Sequence, residues 1–113
     1  MIAQIRPAEF EQWLHSVRTI GEPLMLDVRE ADELRLASIQ AQGFELLVIP
    51  MGLVPVRLDE LDPARPIACL CHHGARSMRV ASYLQDKGYA QVANIAGGIH
   101  AWSLEKDSNV PRY

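Results

Sequence analysis

Cys71-His72-His73-Gly74-Ala75-Arg76-Ser77 is the stretch of this 113-residue chain richest in chemical capability. It follows Ile67-Ala68-Cys69-Leu70, an apolar run suited to a buried strand, and leads into Ser77 to Lys87, the strongest helical pattern present. A thiol therefore stands at the mouth of a strand-loop-helix unit. A tight loop in that position turns backbone N–H groups inward, and the next helix adds the positive end of its dipole, so the centre favours an anion. A thiolate is such an anion and is the nucleophilic form of cysteine. The expected nucleophile is Cys71, and the expected anion cradle is the main chain from His72 through His73, Gly74, Ala75 and Arg76 to Ser77. Gly74 accepts backbone angles that other residues resist. Arg76 brings a permanent positive charge that suits an oxyanion. His72 and His73 are candidates for tuning the thiolate or touching substrate, and equally for neither.

The neighbouring residues support plainer readings. Cys69 inside the strand is read as a small apolar core residue. The side chains of Cys69 and Cys71 are expected on opposite faces, which argues against a mutual disulfide and leaves both thiols free. Cys69, Cys71, His72 and His73 are soft-metal ligand types, but so short a span does not converge on one ion, and no metal is expected. Asp27 and Arg29, at the carboxyl end of another predicted strand, are read as a turn cap and ion pair that support the site from nearby. Arg79, early in the helix after the loop, would either steer an anionic donor or face solvent. Gly97 and Gly98 allow a sharp turn, and Trp102 belongs to the core.

These residues need elements to hold them. Apolar runs at Leu24 to Leu26, Leu46 to Ile49, Ile67 to Leu70 and Val92 to Ile95 read as strands. Helical patterns cover Pro7 to Val17, Glu30 to Ala37, Leu53 to Leu61 and Ser77 to Lys87, with a last helical turn after Gly98 running through Trp102 and Leu104. Strands alternating with helices imply an α/β domain whose mostly parallel sheet is covered on both faces, with ligands outside the carboxyl ends of the strands. With 49% hydrophobic and 22% charged residues, the composition is that of one soluble domain with its own core. Its 11 basic and 14 acidic side chains give a formal charge of −3, which exerts no long-range pull on nucleic acid. No apolar run approaches the roughly 18 residues of a membrane span. The first residues lack the apolar block of a secretory leader. A cytoplasmic protein with no nucleic-acid or membrane partner is expected. Residues 1–104 read as the domain, and residues 105–113 as a polar tail suited to docking a partner or folding back over the rim.

The spacing Cys71-x4-Arg76 followed by Ser77 resembles the active-site loop of the rhodanese superfamily of sulfurtransferases. Leu24-Met25-Leu26-Asp27-Val28-Arg29-Glu30, with Glu33 after it, is similar to the opening strand and Asp-x-Arg-Glu of a rhodanese module. Asn94-Ile95-Ala96-Gly97-Gly98-Ile99-His100-Ala101-Trp102 is similar to the family's closing Gly-Gly-x-x-Ala-Trp element. The usual Gly-His-Ile-Pro-Gly-Ala-like stretch has no counterpart in Ala37 to Phe44. The resemblance implies a three-layer fold around a five-stranded, mostly parallel sheet. It implies that Cys71 takes sulfane sulfur from a donor such as thiosulfate, holds it as a persulfide and passes it to a thiol, cyanide or protein acceptor, a sulfur-carrier protein among them. No cofactor is implied. A sulfur-relay or protein-interaction module with little free turnover is the alternative. Cys-dependent phosphatases and arsenate reductases use a Cys-x5-Arg loop, and the shorter loop here fits one extra sulfur better than a phosphate.

Overall fold

Leu24-Met25-Leu26-Asp27 and Ile67-Ala68-Cys69-Leu70 are buried along their whole length, which is why neither shows polar alternation. They are interior strands of a five-stranded sheet in the computed structural model, which describes residues 2–113. In sheet order the strands are β1 (Ala3–Ile5), β5 (Val92–Ile95), β4 (Ile67–Leu70), β2 (Leu24–Asp27) and β3 (Glu45–Val48). Every neighbouring pair is parallel, so all five carboxyl ends open on one edge, with β4 in the centre. The helices are α1 (Phe10–Val17), α2 (Ala31–Leu36), α3 (Ala75–Asp86) and α4 (Gly98–Glu105).

The pleat divides the core in two. Leu24, Leu26, Ile67 and Cys69 pack with Val80, Ala81 and Leu84 of α3. Met25, Ala68, Leu70 and Ile95 pack with Phe10 and Leu14 of α1 and with Ile99 and Trp102 of α4. Phe10 meets the ring of Trp102 edge-on at 5.1 Å, which ties α1 to α4. The three layers follow from strands that are apolar on both faces and helices that are apolar on one.

Three local expectations are corrected. β1 has only three residues, two of them exposed, and offers no apolar run to detect. The helix expected over Leu53 to Leu61 is instead two 3-10 turns, Met51–Leu53 and Leu58–Glu60. Pro55 lies between them, and the α-type bond that spans it, from Arg57 N–H to the Leu53 carbonyl at 3.0 Å, gives way to 3-10 bonds beyond. Cys69 and Cys71 both join the α3-side cluster, because residues two apart along a strand share a face. Both are nonetheless free thiols. Residues 105–113 fold back onto the body: Val110 is buried among the α1 and α4 side chains, and Ser103 Oγ donates to its carbonyl at 2.6 Å. No described helix is long and apolar enough to cross a membrane.

Candidate functional site

Cys71 is the first residue beyond β4, and α3 begins four residues later. Gly74 makes that turn possible with φ of +108°, a backbone conformation that a side chain would strain. The turn brings the Gly74 N–H to 3.0 Å from Cys71 Sγ. Ser77, one turn into α3, places its Oγ 3.2 Å from the same sulfur. Behind it, Asn94 of β5 accepts from Ser77 Oγ at 2.5 Å and donates through Nδ2 to the Gly74 carbonyl at 3.2 Å. A hydroxyl has one hydrogen, so Ser77 serves Asn94, the Gly74 carbonyl at 3.2 Å or the sulfur at a given moment, and a negative sulfur draws it.

The far side of the loop is clamped by α4. Ile99 N–H donates to the Cys71 carbonyl at 2.9 Å and His100 N–H to the His72 carbonyl at 3.1 Å. Gly98 is what lets the two backbones meet, since a Cβ there would lie 2.3 Å from the His72 carbonyl oxygen and 2.5 Å from that of Cys71. The closing Gly-Gly element therefore does more than turn the chain.

The sulfur's main-chain donor is the Gly74 amide, a smaller set than the ring of amides expected from the sequence. The Met78 amide is spent on the Gly74 carbonyl as the helix begins. Those of Ala75, Arg76 and Ser77 are first-turn donors with no intrahelical acceptor, and with the helix dipole they make this end electropositive. Cys71 itself is 1% exposed, so the sulfur is sheltered from bulk water. Cys69 is wholly enclosed, and burial followed by the nearby Cys71 pushes its thiol up to about 12, which keeps it protonated.

Arg76 leans over α2 rather than standing free. Its guanidinium donates to both oxygens of Glu33, at 2.6 and 2.8 Å. Tyr113, from the chain's last residues, donates its hydroxyl to the same carboxylate at 2.8 Å and accepts from Arg29 at 3.1 Å. Arg29 in turn holds Asp27 through three guanidinium contacts of 2.8 to 3.2 Å. Asp27, Arg29, Glu33, Arg76 and Tyr113 thus form one charge-balanced chain beside the thiol loop. Arg79 is exposed, and no hydrogen bond links it to the loop among the described residues. His72 is sandwiched between Tyr113 and His73, each at 3.8 Å between ring centres. Burial, then the adjacent His73, lower the His72 pKa below the usual imidazole value.

Glu33, Asn94, His100 and Tyr113 were not among the expected site residues. Asn94 did carry a signal, being a polar residue in an otherwise apolar strand, whereas Tyr113 reaches the loop only through tertiary folding.

The ion pair has a measurable consequence. Bonding to Arg76, opposed by partial burial, holds the Glu33 carboxyl at about 2 against an ordinary 4.5. A depressed carboxyl stabilises the fold fully above the unfolded value and loses that contribution as pH falls through the folded one. Discounted for solvent access, the effect is on the order of 2 kcal/mol at neutral pH. Glu33→Gln should therefore be destabilised by that amount near neutrality and match the parent as pH approaches about 2. Urea unfolding across the range measures it, and a pH-independent difference would rule the pairing out as the cause.

The rhodanese-like domain model matches residues 6–105. The chain belongs to that family. A protein called sulfurtransferase from Allochromatium vinosum is 38% identical over 82 residues, covering 71% of each chain. The rhodanese-like/PpiC domain-containing protein 12, chloroplastic, of Arabidopsis thaliana is 33% identical over 99% of this chain, which spans 38% of that relative's length. Among solved structures, a rhodanese-like domain protein from Staphylococcus aureus superposes with a TM-score of 0.73 at 25% identity over 99% of both chains. The five-stranded parallel sheet with helices on both faces is this family's fold.

Proposed function

We propose that this rhodanese-like domain is a sulfurtransferase that carries sulfane sulfur on Cys71. The observation that supports it best is the sulfur's placement at the amino end of α3, within reach of the Gly74 amide and Ser77 Oγ. In the first step the Cys71 thiolate attacks the outer sulfur of a donor such as thiosulfate. The donor's S–S bond breaks, sulfite leaves with the bonding electron pair, and a new S–S bond gives the Cys71 persulfide. In the second step a thiol, cyanide or protein-borne nucleophile attacks the outer sulfur, and Cys71 departs as thiolate. Charge moves onto the outer sulfur and back, and the unused first-turn amides of α3 are the donors that stabilise it. Arg76 presents the fixed charge at the entrance, shared with Glu33. The shelter around Cys71 keeps the transferred sulfur out of bulk water.

Treatment of the full chain with thiosulfate, followed by mass spectrometry of the intact protein and its peptides, tests this. The expected result is a gain of one sulfur atom confined to the Cys71 peptide and removed by cyanide. A gain at Cys69, or none at all, overturns the assignment.

A further inference from the structure

Three imidazoles gather at the edge of the loop without any role in the sulfur chemistry above. His72 and His73 come from the loop itself, and His100 comes from α4, whose first amides clamp that loop. One ligand nitrogen from each lies within 4.8 Å of the other two. His72 Nε2 and His100 Nδ1 are buried without a hydrogen-bond partner among the described residues. A buried polar atom left unpaired costs about 1–3 kcal/mol, so both nitrogens gain from a ligand. The atoms concerned are lone-pair donors from imidazole, the ligand type that zinc, copper and nickel take. No carboxylate joins the group, which disfavours calcium and magnesium.

We infer that His72, His73 and His100 form a three-nitrogen site for a borderline-soft divalent cation such as zinc. Three protein ligands leave one tetrahedral position open to water or a small anion. Zinc–nitrogen bonds of about 2.0–2.1 Å bring tetrahedral ligands to roughly 3.4 Å of one another, so separations of up to 4.8 Å must shorten by as much as about 1.4 Å. His73 is the member free to move: it is exposed, and it lies against His72 with ring planes 28° apart. Tyr113, stacked on His72 at 11°, keeps the central ring in plane.

Competition of the reduced full chain against a chromophoric zinc chelator needs no sulfur donor, so its outcome is independent of the sulfurtransferase reading. The expected result is one zinc per chain at about micromolar Kd or tighter, retained in Cys71→Ser and weakened on the order of 100-fold in His73→Ala and His100→Ala. Proton NMR should show zinc-dependent shifts in the three imidazoles but none in His15, the remaining histidine. His73→Ala alters an exposed side chain and decides the matter should His100→Ala fail to fold. Undiminished binding in His73→Ala, loss of binding in Cys71→Ser, or no saturable binding overturns the site.

Discussion

Cys71→Ser should lower sulfur transfer from thiosulfate to cyanide by at least about 10⁴-fold, the scale on which loss of a covalent nucleophile acts. The hydroxyl is a far weaker nucleophile at neutral pH, and its oxygen cannot carry the second sulfur. The fold should survive. Serine occupies nearly the same space, keeps an acceptor for the Gly74 amide and remains within reach of Ser77 Oγ. Moving a hydroxyl into a site that is 1% exposed costs on the order of 1–2 kcal/mol, small beside the stability of a domain this size. Circular dichroism and the unfolding midpoint separate the two effects, while the transfer rate reads the chemistry. Retained activity in the serine variant would remove Cys71 from the cycle. The phosphatase alternative is tested on the parent protein with an aryl phosphate, where the Cys71-x4-Arg76 spacing leads us to expect no turnover.

What could be read without coordinates depended on how local each signal was. β2 and β4 stand out in the sequence because strands buried on both faces must be apolar throughout, and α3 stands out because Val80, Ala81 and Leu84 repeat on one face. β1 does not, since a three-residue edge strand gains its pairing from β5 and has too few side chains to form a pattern. The segment around Pro55 misleads in the other direction: apolar spacing suggested one helix where the chain makes two 3-10 turns, Met51–Leu53 and Leu58–Glu60. At the site, the order strand, Cys71, Gly74, helix is contiguous and therefore legible. The contacts that orient it are not contiguous. Glu33 reaches Arg76 across 43 positions and Tyr113 reaches Glu33 across 80, and no sequence window contains either pair. The position of Gly98 is visible in the sequence, but the two loop carbonyls it must admit are visible only in three dimensions.

Asp27→Ala should be the most damaging single change to stability outside the apolar core. Arg29 is 0% exposed and Asp27 2%, so the pair is dry. The guanidinium also donates to the Ala37 carbonyl at 2.9 Å and to Tyr113, which together fasten the end of β2 to the chain beyond α2 and to the returning C-terminal segment. Alanine removes the only countercharge in contact with Arg29 among the described residues and strands a buried cation, a change that costs about 3–5 kcal/mol. For a domain of this length that lowers the midpoint by on the order of 15 °C. Adding Arg29→Met removes the stranded charge as well, so the double variant should regain much of the loss, and scanning calorimetry on the four-protein cycle reads the coupling directly. A double variant no better than Asp27→Ala would mean that the destabilisation arises elsewhere. Neither residue bonds to Cys71 in the structure, so sulfur transfer per folded molecule, measured well below the midpoint, should fall by less than about tenfold in Asp27→Ala. A larger loss with the fold intact would place the pair in the chemistry rather than beneath it.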